Sequence, residues 1–121
     1  MDNISRAKPR EGGWLWIIKI LSGLLIVALL ILHMIINHLV AEGGLLTYQD
    51  VLNYYNNWII PVLEIAFLVF VVSHSLLGLR SILLDLNPSD KLLRIANWFL
   101  IIVGSAAILY GSWLAIHIAN L

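Results

Sequence analysis

The sequence predicts an all-α integral membrane protein: one transmembrane domain over residues 1–121, with three membrane-spanning helices. Three observations predict it. Of 121 residues, 61% are hydrophobic and only 12% are charged, against roughly 25% charged in soluble domains. Three apolar stretches, at about 14–40, 58–84 and 92–119, each exceed the roughly 20 residues that cross about 30 Å of hydrocarbon. Polar connections separate them. Lipid offers no partner to an unpaired backbone group, so each stretch must be helical.

The first stretch follows a basic segment containing Arg6, Lys8 and Arg10. It is longer than a signal-peptide core and no small-residue cleavage site closes it early, so it reads as a retained helix. The connection at 41–57 holds Gly43, Gly44, Asp50 and the run Asn53, Tyr54, Tyr55, Asn56, Asn57. It is long enough to include a short interfacial helix. The second stretch is followed by Asn87, Pro88, Ser89 and Asp90. Pro88 stops a helix, and Ser89 or Asp90 can cap the next.

Basic residues set the orientation. Lys19 and the three N-terminal bases lie at one end, and Arg80, Lys91 and Arg94 flank the second connection. The first connection and the C-terminus carry no Lys or Arg. The positive-inside rule then predicts a cytoplasmic (inner) membrane protein with a cytoplasmic N-terminus and an outside C-terminus. Trp14, Trp16, Trp58 and Trp98 fall near helix ends, as an aromatic belt requires. The formal net charge is zero, which leaves no electrostatic case for nucleic acid. Cysteine is absent, which excludes a disulfide, a thiolate nucleophile and an iron–sulfur cluster held by this chain.

Histidine is the remaining redox-ligand type, at positions 33, 38, 74 and 117. His33 and His38 are five residues apart, which turns them about 140° from one another on an α-helix. They cannot serve one site on one face. Ser22 precedes His33 by eleven residues and returns to nearly its face, so Ser22, Gly23 and His33 mark a stripe. His74 has Gly78 one turn on, where a flat macrocycle or another helix can approach. Arg80 follows, able to meet an acidic group such as a propionate, and Asp85 returns to the face of His74 at the membrane surface. By helical rise His33 lies roughly 24 Å above the inner boundary and His74 roughly 9 Å. That difference is too large for one iron and suits two sites. Each residue also has a plainer reading. A histidine in a membrane helix can simply bond a neighbouring helix, His38 and His117 can be solvated near the interfaces, and Glu64, in the first turn of the second stretch, can complement the helix dipole.

The run His74, Ser75, Leu76, Leu77, Gly78, Leu79, Arg80, with Asp85 behind it, resembles the second-helix signature of succinate dehydrogenase and fumarate reductase membrane anchors. That signature is His, three residues, Gly, one residue, Arg or a similar polar residue, then an acidic residue. Ser22 and Gly23, eleven and ten residues before His33, resemble the first-helix pattern of the dihaem members. The resemblance covers the chain from about Trp14 onward. Many anchors carry an Arg just before the first-helix Ser or Thr, where this chain has Ile20 and Leu21 with Lys19 as the nearest base. Leu86, not an aromatic, follows Asp85.

The resemblance implies one of the two small cytochrome b anchor subunits of a succinate:quinone oxidoreductase. Such a subunit does not oxidise succinate. It packs with a second anchor subunit into a helical bundle, under an iron–sulfur subunit and a flavoprotein subunit on the cytoplasmic face. Electrons pass from the iron–sulfur subunit to haem b and quinone. The family spacing assigns His74 to a haem nearer the cytoplasm and His33, not His38, to a second haem, each shared with the partner anchor. Ser22 and Asp85 are expected near the quinone, with Arg80 and Lys19 as further contributors. A haem-free structural or assembly protein and a half-unit of a proton-linked transporter are the alternatives.

Overall fold

The computed structural model describes residues 12–40 and 47–121. Arg6, Lys8, Arg10, Gly43 and Gly44 lie outside the described residues. Helix α1 spans Gly13–Ile35 and continues into a five-residue π-helical segment, Ile36–Val40. Helices α2, α3 and α4 span Tyr48–Tyr55, Ile59–Asp85 and Asp90–Ala119. Three of these spans, Gly13–Val40, Ile59–Asp85 and Asp90–Ala119, are long and apolar enough to cross a membrane. The protein is an all-α, three-helix membrane bundle, with no strand among the described residues.

Local chemistry explains the boundaries. At α2 the Thr47 side chain accepts from Asp50 N, while the Asp50 carboxylate accepts from Thr47 N at 2.8 Å. This reciprocal capping box satisfies two otherwise free amides. At α3 the Asn57 side-chain oxygen accepts from Ile59 N at 3.1 Å. Pro61, the third residue of α3, sits in the first turn, where no helical N–H partner is lost. The other end closes with Asn87 at a positive φ of 51°, a conformation Asn tolerates at a helix C-terminus. Pro88 follows. Ser89 then caps α4 by accepting from Leu92 N at 3.2 Å.

Helix α3 is central and packs against both α1 and α4. Gly104 and Gly111 set the approach of α4. A Cβ on Gly104 would overlap Leu76 Cδ1, and one on Gly111 would overlap Leu68 Cδ2. Seven residues bring the two glycines to one face of α4, so two α3 leucines drop into two notches. Gly104 is therefore part of a packing pair, although it stands isolated in the sequence.

Little is buried within the chain. Among the described residues Ile60, Leu84, Leu100 and Ala115 are the buried hydrophobic ones, while large apolar side chains along α1 and α4 are exposed. In lipid that surface faces acyl chains or other helices at no hydrophobic cost. The buried polar residues stand out against it: Ser22 is 4% exposed and Asn37 8%.

Candidate functional site

Two polar clusters cross the α1–α3 interface. The first surrounds His74. Ser22 Oγ donates to the Lys19 carbonyl at 2.9 Å, as a serine in a helix interior commonly does. His74 Nδ1 lies 3.1 Å from that carbonyl and 3.1 Å from Ser22 Oγ. A carbonyl can only accept. The proton of a neutral His74 therefore sits on Nδ1, and the Nε2 lone pair is left for another partner. No hydrogen bond engages Nε2 among the described residues.

Gly23 makes room for this ring. A Cβ there would lie 3.1 Å from His74 Cε1, tight enough to displace it. At Gly78 a Cβ would meet nothing within 4 Å, so within this chain that position stays open to an approaching group. Lys19 Nζ donates to Ser81 Oγ at 2.9 Å, and Ser81 Oγ donates to the Leu77 carbonyl at 3.0 Å. Lys19, Ser22, His74 and Ser81 thus form one continuous polar strip at the N-terminal end of α1.

The second cluster surrounds His33. Its Nδ1 is 3.2 Å from Glu64 Oε1, and its Nε2 is 2.8 Å from Asn37 Nδ2. Phe67 stacks on the ring at 5.8 Å and 16°. A cavity of about 20 Å³ beside it is walled by Leu29, Tyr54 and Leu63 as well as by His33 and Glu64. Tyr54 belongs to α2, so the short helix closes this cluster. Its phenol is pushed up to about 12, first by burial and then by the negative charges of Glu64 and Tyr55. Glu64 corrects a sequence expectation. The helix begins at Ile59, and no acidic residue falls in its first turn. Glu64 reaches across to His33 instead of complementing the dipole.

The remaining candidates are spread out. Arg80 lies six residues beyond His74 and about 120° around α3. Its Nε donates to Asn97 Oδ1 on α4 at 3.1 Å. Its Nη1 is buried without a hydrogen-bond partner among the described residues. It borders a cavity of about 390 Å³ walled by Leu15, Leu77, Leu100 and Ile101. Asp85 is exposed at the end of α3, about 16 Å along the axis from His74. His38 is exposed in the π segment, and His117 stacks on Trp113 at 5.2 Å near the end of α4.

Sequence reasoning paired Ser22 with His33 along one helix, and the contact it missed is Ser22 with His74 between helices. It also passed over Asn37, Asn97 and Tyr54. The two asparagines carried a signal, being polar residues inside apolar spans.

The arrangement suits single-histidine ligation at two levels. No group of three or more His, Cys, Asp or Glu gathers among the described residues, and His74 and His33 stand in separate clusters, so each would offer a haem a single ligand from this chain. His74 fits a haem through its oriented Nε2, and the orphaned Arg80 Nη1 fits a carboxylate. At His33 the Nε2 lone pair is available once the Asn37 amide turns aside.

No curated protein and no solved structure matches the chain. A family model described as Succinate dehydrogenase/Fumarate reductase transmembrane subunit matches residues 2–112. With nearly the whole chain matched, and with three membrane-length helices, the protein belongs to the succinate dehydrogenase/fumarate reductase transmembrane-subunit family.

Proposed function

We propose that this chain is a haem b-binding anchor that carries electrons from an iron–sulfur subunit to quinone. The observation that carries the reading is His74, whose Nδ1 is tied to the Lys19 carbonyl at 3.1 Å so that Nε2 keeps its lone pair. At protein metal sites a ligand histidine is usually oriented by an acceptor that holds its other ring N–H. When bound, haem b would supply a one-electron carrier held by His74.

The chain's own residues divide the remaining work. Gly23 accommodates the imidazole, and Ser22 and the Lys19 carbonyl fix its proton. Arg80, through its unpartnered Nη1, holds an oxyanion such as a propionate. Ser22 and Asp85, with Lys19 between them in depth, serve the quinone at the N-terminal end of α1. His33 ligates a second haem about 15 Å along the axis, a separation given by ten residues of helical rise from Gly23, which packs on His74. Each haem is completed by the second anchor subunit. The iron–sulfur and flavoprotein subunits dock on the cytoplasmic face. That face is the one bearing Lys19, Arg80, Lys91 and Arg94, which supports an N-in, C-out chain.

The test is a reduced-minus-oxidised spectrum of the purified complex with haem counted per flavin. A ratio near two is expected, lowered by His33→Ala and not by His38→Ala. A ratio near one removes the second haem, and no b-type signal removes the haem reading altogether.

A further inference from the structure

The cluster around His33 contains a carboxylate for which the haem reading gives no role. A histidine that ligates iron presents one nitrogen, and the partner of its other nitrogen fixes which one. At His33 the contact from α3 selects the tautomer. Glu64 Oε1 lies 3.2 Å from Nδ1, and a carboxylate only accepts, so the ring proton belongs on Nδ1. Asn37 Nδ2 lies 2.8 Å from Nε2 and 3.3 Å from Nδ1, within reach of both nitrogens, and does not choose between them. Phe67 fixes the plane of the ring.

Asn37 is a neutral neighbour of both ring nitrogens, and its Oδ1 is buried with no hydrogen-bond partner among the described residues. Glu64 stays in place behind the ring, on the side away from the metal. A carboxylate in a membrane span is costly unless it is engaged, and this one lies past the first turn of α3, so the helix dipole does not account for it.

We propose that Glu64 is the positioning residue of the outer haem site. It fixes His33 as the Nδ1–H tautomer, aims Nε2 at the iron and, by drawing the Nδ1 proton toward a negative charge, lowers the iron's reduction potential. The proposal rests on His33 as a ligand. A ligand with more imidazolate character stabilises the ferric over the ferrous state, which sets the sign.

The experiment uses the whole complex with Glu64→Gln and Glu64→Asp. Gln keeps an acceptor oxygen at the same reach without the charge, and Asp keeps the charge one methylene shorter. Haem per flavin is counted first in the wild type and in His33→Ala. A wild-type ratio near one removes the two-haem reading, and no loss in His33→Ala removes His33 as a ligand; either result removes this proposal with it. With two haems present, redox titration of Glu64→Gln should raise the potential of the haem that His33→Ala removes and leave the other unmoved. A tenfold loss of ferric preference corresponds to about 59 mV for one electron. Glu64→Asp should stay near the wild-type potential. Unchanged potentials in Glu64→Gln overturn the proposal while the two-haem reading stands. If Glu64→Gln does not retain the outer haem, Glu64→Asp decides: retention supports the proposal, and loss from both variants overturns it.

Discussion

His74 on α3 and Ser22 on α1 meet across the helix interface, Nδ1 to Oγ at 3.1 Å, with the Lys19 carbonyl as their shared acceptor. Ser22→Ala leaves the carbonyl in place, so His74 keeps its tautomer and the haem is retained. Interhelical hydrogen bonds in membranes average about 0.6 kcal/mol, and the stability loss should be of that order. Quinone reduction should fall, because Ser22 is assigned to that end of the chain. Unchanged quinone kinetics with Asp85→Asn as well would remove both residues from the quinone site.

Gly23→Ala acts on the same ring by volume. Its Cβ, 3.1 Å from His74 Cε1, must push the imidazole by a few tenths of an ångström. We expect lower haem occupancy with normal flavin content. Gly13→Ala is the control, since a Cβ there meets nothing within 4 Å. Equal haem content in the two variants would refute this account of Gly23.

The glycine notches of α4 give a prediction about stability alone. Gly104→Val fills the space taken by Leu76 and Val72. Overpacking of this kind costs about 1–3 kcal/mol. Because Leu76 Cδ1 is the end of a flexible side chain, Gly104→Ala should fall at the low end of that range. Thermal denaturation of the complex in detergent measures both. A valine variant as stable as the wild type would contradict the packing described.

Tyr54 reports on the charge of Glu64. Burial, then Glu64, then Tyr55 raise its pKa from the ordinary 10.0 to about 12. The folded state thus holds the phenolic proton more tightly than the unfolded chain does. This contribution to stability is complete below about pH 10 and is lost as pH rises toward about 12. In an ultraviolet titration, Tyr54→Phe should delete a late-ionising component and Glu64→Gln should move it to lower pH. A component that ignores Glu64→Gln would separate the two residues.

The three spans were legible because the membrane demands long apolar runs, and 14–40, 58–84 and 92–119 differ from the observed helices by two residues or fewer at each end. Pro88 and Ser89 were legible as a stop and a cap for local reasons. Helix α2 was harder, being eight residues long and amphipathic. Its capping pair, Thr47 and Asp50, was the available signal. His74 and Gly23 were legible separately, but their contact depends on the register of α1 against α3, which no single-helix periodicity contains. The same holds for Glu64 and His33. The π segment also changes the turn per residue over Ile36–Val40, so the 140° angle assigned to His33 and His38 assumes a regular helix that ends between them.

Orientation is tested independently. A reporter fused after Leu121 should report outside the cytoplasm. A cytoplasmic signal there would invert the chain and move the quinone site to the opposite face.

The haem-to-flavin ratio of the assembled complex carrying His74→Ala separates a haem ligand from a residue that only packs. Loss of one haem equivalent is expected, with flavin and iron–sulfur content unchanged. The haem that remains should be the one that His33→Ala removes. A His74→Ala complex with its full complement of haem would contradict the assignment, and would leave His74 as a residue that only joins α3 to α1.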